Sequence, residues 1–139
     1  METKKKKTHL GYGAYARVYV HETESTREAV KLFHSDTYVD NMMTEIEALV
    51  ALRDCDNVVK LLHHDSEKSR KSNRFYMELE ECNLYEYMNQ TGDLIPLDTA
   101  ISFIVQLFRA LEYTHGKKIV HCDIKPMNLL VTGTRLRLA

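Results

Sequence analysis

Between His121 and Asn128 the chain reads HCDIKPMN, and this stretch decides how the rest of the sequence is interpreted. It places a carboxylate, an amine and an amide, those of Asp123, Lys125 and Asn128, within one short loop. A carboxylate can accept a proton, a lysine can neutralise a phosphate, and an amide oxygen can ligate a metal ion. Transfer of a phosphoryl group needs these three roles. The segment therefore indicates phosphoryl-transfer chemistry.

Two glycines near the start of the chain, Gly11 and Gly13, lie in a loop between two predicted strands. Glycine lets backbone N–H groups approach phosphate oxygens closely, but this spacing fits a plain hairpin turn about equally well. On the next strand, Ala29 and Lys31 share one face because side chains alternate along a strand. A small residue beside a lysine can seat a flat base and reach its phosphates, whereas a lone strand lysine is usually solvated.

Composition excludes several classes of protein. The 139 residues include 19 Lys and Arg against 20 Asp and Glu, a net charge of −1, which argues against a nucleic-acid binder. Three cysteines without a CxxC pair indicate free thiols in a reducing compartment. No membrane span or secretory signal is expected, so we expect an intracellular, cytoplasmic protein. The run from Lys4 to Lys7 predicts a solvated tail, with a nuclear address as the alternative.

Hydrophobic periodicity predicts an α+β fold, with strands first and helices later. The composition changes near Glu81, where we place a boundary between two lobes. The predicted elements are strands within Leu10 to His21, Glu28 to Phe33, Asn57 to Leu62 and Arg74 to Glu80, helices at Asp36 to Leu52, Asn83 to Asn89 and Asp98 to His115, and short strands within Ile119 to Leu138.

The last long helix is predicted to start with Asp98 as its N-cap and to stop at Gly116. Phe103 and Leu107 lie outside its main apolar stripe, so apolar residues occur nearly all round it. We therefore expect this helix to be buried on almost every side.

Four separate signatures occur in the order found in eukaryotic-type protein kinases, and the chain resembles that family from His9 to Ala139. Lys125, two residues after Asp123, matches the serine/threonine branch. The resemblance implies a protein-kinase-like α+β fold. An antiparallel β N-lobe with one helix would occupy residues 9–80, after a basic tail at residues 1–8, and the first part of a helical C-lobe would occupy residues 81–139.

The resemblance also implies ATP and Mg²⁺ as cofactors and assigns catalytic roles. Lys31 would hold the α and β phosphates, and Asp123 would accept the proton of the substrate hydroxyl. Lys125 would neutralise the γ phosphate, and Asn128 would ligate Mg²⁺. Gly11 and Gly13 match the nucleotide-covering loop, and the residues matching the adenine pocket are Leu10, Val18, Ala29 and Leu130. Met77 matches the gatekeeper position, and Glu78 and Glu80 match hinge positions.

The first helix should supply a glutamate to pair with Lys31. Helical geometry does not choose between Glu45 and Glu47, because each lies about 100° from the centre of the apolar stripe, on opposite sides. The family pattern favours Glu45, since Leu49 and Leu52 follow at the expected offsets. The alternative for either glutamate is a solvated charge on the flank of the helix.

The sequence departs from the family pattern in its loops. Ala16 stands where a third glycine is usual, which is a mild steric change. Cys122 replaces the arginine that normally binds a phosphate on the activation loop, so that control is not expected. A thiol–imidazole pair of Cys122 with His121 is disfavoured because neighbouring extended side chains point apart. The stretch from His63 to Asp65 lacks partners at ligand spacing and predicts a loop rather than a metal site.

Thr134 to Ala139 resemble the strand that in the family leads directly into Asp-Phe-Gly, and the sequence stops where that metal-binding Asp is expected. We therefore expect a partial C-lobe that ends before the activation segment. This chain alone should show negligible phosphoryl transfer. Its long apolar helix should expose surface that needs a partner or leads to self-association.

Three functions are considered. The first is ATP-dependent phosphoryl transfer to Ser and Thr hydroxyls of a protein substrate by a serine/threonine kinase that is incomplete here. The second is a truncated kinase-like nucleotide-binding or regulatory module without turnover, which either holds nucleotide or docks on a partner kinase and disturbs it. The third is a structural interaction protein, against which the joint presence of Lys31, Asp123, Lys125 and Asn128 argues.

Overall fold

The structure is a computed structural model that describes residues 9–35, 38–65, 73–92 and 94–139. The predicted basic tail at residues 1–8 lies outside the described residues, as do the predicted helix start at Asp36 and most of the loop before Asn73. The described residues of Met1–Glu47 and Lys60–Leu79 form one compact unit, and those of Ala48–Val59 and Glu80–Ala139 form a second.

The first unit contains a five-stranded antiparallel sheet in the order β1-β2-β3-β5-β4. The glycine loop and the polar turn at residues 23–26 connect successive strands as hairpins, which is why β1, β2 and β3 are neighbours. The strands are β1 at His9–Tyr12, β2 at Ala16–Glu22, β3 at Arg27–Phe33, β4 at Leu61–His64 and β5 at Arg74–Glu78.

Strand β3 is buried on both faces of this sheet. Val30 is fully buried and packs with Tyr19 and Tyr76 on one face. On the other face the rings of Phe33 and Phe75 lie 6.1 Å apart. Because successive strand residues point to opposite faces, the two clusters fix the direction in which the side chains of β3 project.

Helix α1 runs over Val39–Ala51. Met42 and Ile46 are spaced four residues apart and are both buried, so they form the apolar stripe that the sequence predicts. Asp40 lies in the first turn, where a carboxylate interacts favourably with the positive end of the helix dipole.

The second unit contains a three-stranded antiparallel sheet in the order β6-β7-β8, together with two helices. A single turn of 3-10 helix at Pro126–Asn128 precedes β7. Gly133 has a φ of 58° in the turn between β7 and β8, a conformation that favours glycine. The elements are β6 at Cys82–Asn83, β7 at Leu129–Thr132, β8 at Arg135–Leu138, α2 at Leu84–Gln90 and α3 at Leu97–Gly116.

The predicted strand from Asn57 to Leu62 is wrong in its position. Strand β4 begins only at Leu61, and Val58 and Val59 are buried in the second unit instead. Val58 forms an isolated parallel bridge with Leu138, and the amide of Leu138 donates to the carbonyl of Asn57 at 2.8 Å. A short apolar run fits either location equally well, because periodicity does not identify the partner strand.

The predicted cap of α3 is also wrong. The helix begins at Leu97 with Pro96 as its N-cap residue, and Asp98 lies inside the first turn. Pro96 has a φ of −52° and an extended ψ of 141°, the non-helical backbone conformation expected of an N-cap residue. Gly116 is the last helical residue rather than the first residue beyond the end.

Burial of α3 is one-sided in the described residues, so the expectation that nearly every side is buried is wrong. Phe103, Ala110 and Thr114 are its buried residues, spaced to lie along one face. The large apolar side chains exposed on it are Leu97, Ile101, Ile104, Val105 and Phe108.

Candidate functional site

Lys31 of β3 forms an ion pair with α1 in the first unit. Its Nζ lies 2.5 Å from Oε1 of Glu45, and the two side chains are 26% and 35% exposed. The same ammonium lies 5.5 Å from the ring of Phe33 and 5.9 Å from the ring of Phe75. Glu47 is exposed on the helix. The structure therefore places Glu45, and not Glu47, beside the lysine.

One sheet face gathers several of the residues predicted to contact the nucleotide. Val18 is the cross-strand partner of Lys31, and Ala29 is the partner of Met77. Cross-strand partners point to the same face, as do residues two apart on β3. Ala29 and Met77 are buried, whereas Leu10 on β1 is partly exposed.

The glycine loop joins β1 to β2. The amide of Gly13 donates to the carbonyl of Ala16 at 2.8 Å, and Nε2 of His34 lies 2.9 Å from the carbonyl of Gly13. A Cβ added at Gly11 would meet nothing within 4 Å, and neither Gly11 nor Gly13 has a positive φ. The hairpin turn alone therefore does not require glycine at these two positions.

Asp123, Lys125 and Asn128 meet in the second unit. Nζ of Lys125 lies 3.3 Å from Oδ2 of Asp123. The Asn128 amide donates to Oδ2 of Asp123 at 3.0 Å and to its carbonyl at 2.8 Å. The 3-10 turn, closed by a bond from the amide of Asn128 to the carbonyl of Lys125, brings Asn128 back towards the aspartate. The three chemical groups predicted from this loop are thus in direct contact.

The carboxylate of Asp123 is held in its charged form. The hydrogen bond from Lys125 lowers the pKa of Asp123 below its ordinary value of 3.8, and the Asn128 amide adds to this effect. Bonds to the charged form of an acid favour that form. At neutral pH the residue is therefore a carboxylate that can accept a proton.

His121 connects this loop to the end of β8. Its Nδ1 accepts a hydrogen bond from the amide of Asp123 at 3.1 Å, so Nε2 carries the proton that is directed at the carbonyl of Ala139, 2.6 Å away. Both ring nitrogens are used by backbone groups rather than by Cys122. The thiol of Cys122 instead lies 3.7 Å from the carbonyl of Val120, and its backbone has a φ of 66°, which is unusual for a residue with a side chain.

The remaining predicted residues are placed as follows. Leu130 is half-buried on β7, opposite Arg137 of β8. Glu78 ends β5, and its amide donates to the carbonyl of Lys60 at 2.9 Å, so this N–H group is already bonded within the first unit. Glu80 is buried in the second unit through its side chain.

The contacts of the Glu80 side chain are the feature that the sequence analysis missed. Arg137 Nη1 donates to Oε1 at 2.8 Å, and Arg135 Nη2 donates to Oε2 at 3.4 Å. The Thr132 hydroxyl also donates to Oε2. Alternation of Arg135 and Arg137 along β8 is the sequence signal for a carboxylate partner, but it does not identify which carboxylate.

Glu80 makes stability depend on pH in a defined direction. Burial alone would raise its pKa, but the bond from Thr132 and the charge of Arg137 outweigh burial and lower the pKa below the ordinary 4.5. A carboxylate whose pKa is lower in the folded than in the unfolded state stabilises the fold at pH values above its unfolded-state pKa. This stabilisation is lost as the pH falls through the folded-state pKa. We expect the free energy of unfolding to decrease below about pH 4.5. In Glu80→Gln this part of the acid dependence should disappear, and an unchanged acid profile would contradict the assignment.

The described residues, 9–35, 38–65, 73–92 and 94–139, contain no cluster of three acidic, histidine or cysteine side chains that could hold a metal ion. His63, in the stretch predicted to be a loop, lies on β4 with its Nε2 3.2 Å from Oε1 of Glu28.

Comparison with known proteins now decides the family. The family model described as the protein kinase domain matches residues 4–139. The chain belongs to the protein kinase family. The α+β fold described above is that of a protein kinase domain, which confirms the resemblance drawn from the motifs. Protein kinases as a family transfer phosphoryl groups from ATP with the help of divalent metal ions.

The kinase domain is similar to several serine/threonine kinases. A probable cyclin-dependent serine/threonine-protein kinase of Dictyostelium discoideum is 31% identical over 124 residues, covering 88% of this chain and 9% of the relative. Cyclin-dependent kinase 15 of Danio rerio is 34% identical over 126 residues, covering 88% of this chain and 30% of the relative. A probable serine/threonine-protein kinase of Dictyostelium discoideum is 34% identical over 135 residues, covering 94% and 26%.

These matches confirm the serine/threonine branch that Lys125 indicates. The chain spans less than a third of the length of each of these relatives. In the described part of the kinase domain, none of the helices combines the length and the apolar character needed to cross a bilayer.

Proposed function

We propose that this kinase domain serves ATP-dependent phosphoryl transfer to Ser and Thr hydroxyls of proteins. The observation that carries the proposal is the direct contact of Asp123 with both Lys125 and Asn128. An ammonium and an amide that each lie within about one hydrogen-bond length of one ionised carboxylate match the needs of this reaction. A merely structural loop has no need for this combination.

In the second unit, Asp123 is proposed to act on the acceptor. Its carboxylate orients the substrate hydroxyl and takes the hydroxyl proton as the oxygen attacks phosphorus. Lys125 is bonded to the same carboxylate, so its ammonium lies where negative charge on the transferred group would be stabilised. Because the amide nitrogen of Asn128 bonds to Asp123, its amide oxygen remains as the atom for a metal.

In the first unit, the sheet face with Lys31 is proposed to bind ATP. The buried Ala29 and Met77 offer an apolar surface for the base, and the ammonium of Lys31 would contact the α and β phosphates. Glu45 fixes the position of that ammonium through the 2.5 Å contact. Mg²⁺ bound with the nucleotide would supply charge neutralisation of the phosphates.

Transfer of labelled phosphate from ATP to Ser, Thr and Tyr peptides tests the proposal. We expect Ser and Thr peptides to be labelled by a kinase domain that continues beyond Ala139 through the metal-binding Asp, with loss of labelling in Lys31→Met, whereas residues 1–139 alone should show negligible labelling. Lys117→Met removes an exposed lysine at the C-cap of α3 and serves as the matched control. Nucleotide binding without any transfer by the wild-type protein would instead support the regulatory module, and labelling unaffected by Lys31→Met would reject the assigned site.

The two glutamates of α1 allow a matched comparison. Glu45→Gln removes the charge that orients Lys31, so we expect kcat/KM to fall about tenfold or more, since a misplaced phosphate contact costs transition-state stabilisation. Glu47→Gln removes the same charge from an exposed position of the same helix and should leave kcat/KM within about twofold. Steady-state kinetics with varied ATP measures both. Equal effects of the two substitutions would contradict the pairing of Lys31 with Glu45.

A further inference from the structure

The glycine loop between β1 and β2 is bonded to the residue that follows β3. This residue is His34, and its Nε2 lies 2.9 Å from the carbonyl oxygen of Gly13. A carbonyl oxygen only accepts hydrogen bonds, so Nε2 carries the proton in this contact. The backbone amide of His34 also donates to the carbonyl of Tyr15 at 2.9 Å. One residue at the end of β3 therefore binds two carbonyl groups of the loop.

The imidazole ring of His34 makes a further contact with the loop. It lies 5.0 Å from the ring of Tyr12, and the two ring planes are inclined by 38°. Tyr12 is 80% exposed, so the two rings meet on the surface of the first unit and not in its core. A ring contact at this distance favours a particular mutual orientation of the two groups. It therefore helps to direct Nε2 of His34 at the carbonyl of Gly13.

The bonds from His34 engage acceptors of the loop and leave donors at its tip unused. The amide of Gly13 donates to the carbonyl of Ala16 at 2.8 Å. The amides of Ala14 and Tyr15 form no hydrogen bond within the described residues. Adjacent N–H groups of a turn can together bind an anion. The loop is thus fixed through its carbonyl groups while two successive N–H groups stay available.

We propose that His34 is a latch that restrains the glycine loop and thereby prepares it to receive the phosphates of ATP. Binding of phosphates by this loop rests on the proposed function, whereas the restraint itself does not. His34 is a positioning residue, because it acts through the carbonyl groups of Gly13 and Tyr15 and takes no part in the transfer of the phosphoryl group.

The conformational freedom of a short loop explains why a latch affects binding. Loops move on timescales of nanoseconds to microseconds, and the glycines at positions 11 and 13 add backbone freedom. A ligand that orders a mobile loop loses affinity to this ordering, whereas a loop that is already restrained avoids most of the cost. Loss of the bond from His34 should therefore loosen the loop and weaken the binding of ATP.

Backbone ¹⁵N relaxation tests the restraint without any nucleotide. His34→Phe keeps a ring and the backbone amide but has no N–H donor on its side chain. We expect the order parameters of the Ala14 and Tyr15 amides to fall from near the ~0.85 of rigid backbone to below about 0.6. His34→Gln retains an N–H donor and should lie closer to the wild type.

The turn at residues 23–26 is the internal reference for this experiment. It joins β2 to β3 in the same sheet and is closed by its own hydrogen bonds, so its order parameters should not change. Order parameters of the glycine loop that stay unchanged in His34→Phe would overturn the latch. An equal fall in His34→Phe and His34→Gln would also overturn it, because the N–H donor would then not be the cause.

Titration with ATP and Mg²⁺ measures the consequence for binding. We expect the Kd for ATP to rise about fivefold in His34→Phe, the size expected for one neutral hydrogen bond. His115→Phe replaces an exposed histidine in the last turn of α3 and should leave the Kd unchanged. A Kd in His34→Phe equal to or below that of the wild type would overturn the preparatory role of the latch. If the wild type binds no ATP, the proposed function fails, and the relaxation experiment still decides whether His34 restrains the loop.

Discussion

Replacing Asp123 with asparagine is expected to lower kcat by about 10²- to 10⁴-fold, the usual contribution of a positioned general base. Asparagine has nearly the same shape but carries no proton-accepting carboxylate. Its amide also cannot form an ion pair with Lys125, which lies 3.3 Å from Oδ2 in the wild type. Steady-state kinetics on a Ser or Thr peptide measures kcat, and a nucleotide-binding titration run in parallel should show a Kd for ATP within about threefold of wild type.

Asp98→Asn provides the matched control for this substitution. Asp98 is an exposed carboxylate in the first turn of α3, so its loss should leave kcat within about twofold. Turnover by Asp123→Asn at a rate close to that of the wild type would remove Asp123 from the reaction. A loss of ATP binding in that variant, rather than of kcat, would assign it to nucleotide binding.

Replacing Glu80 with alanine is expected to destabilise the fold by about 3–5 kcal/mol, the range measured when one partner of a buried pair is removed. The guanidinium of Arg137 would stay buried without its carboxylate, and Arg135 and Thr132 would each lose an acceptor. The cost arises from the unpaired charge, not from the net value of the intact pair. Denaturant unfolding followed by circular dichroism measures the difference.

Glu81→Ala is the neighbouring control. Glu81 is exposed, and its carboxylate accepts one bond from Gly133 at 3.2 Å, so its loss should cost about 1 kcal/mol or less. Similar destabilisation by both substitutions would contradict the larger stability cost expected when Arg137 loses its buried partner. A second comparison is Glu80→Ala with Arg137→Met, which should be more stable than Glu80→Ala because no unpaired charge remains.

Local chemistry made much of the fold predictable. The alternation of Ala16, Val18 and Val20 matches β2, and the spacing of Met42 and Ile46 matches the buried stripe of α1. These patterns depend on only a few residues each, and the hairpins of the first sheet bring such neighbours together. The family resemblance confirmed by comparison depended on motifs of the same short length.

Features that depend on distant contacts were not predictable in the same way. The apolar pair Val58 and Val59 suits a strand of either sheet, and only the bond between Asn57 and Leu138 decides its position. The sequence assigned Glu80 only a hinge position and not its buried ion pair, because the partner Arg137 lies 57 residues away in sequence. The hydrophobic periodicity of α3 also does not identify which of its apolar faces packs against another element.

For the candidate site, the sequence supplied the groups and the structure supplies their contacts. Helical geometry left Glu45 and Glu47 open, and the 2.5 Å contact with Lys31 involves Glu45. Offsets of two and five residues placed Lys125 and Asn128 near Asp123, but only the 3-10 turn shows how Asn128 returns to bond to the carboxylate.

The placement of ATP is tested most directly by an ATP analogue that carries a reactive acyl group on its terminal phosphate and acylates nearby lysines. We predict acylation of Lys31 and Lys125, blocked by an excess of ATP with Mg²⁺, while the exposed Lys117 shows no such protection. Peptide mapping by mass spectrometry identifies the acylated residues. Acylation that bypasses Lys31 and Lys125, or that ATP with Mg²⁺ fails to block at these two lysines, would contradict phosphoryl transfer at this site.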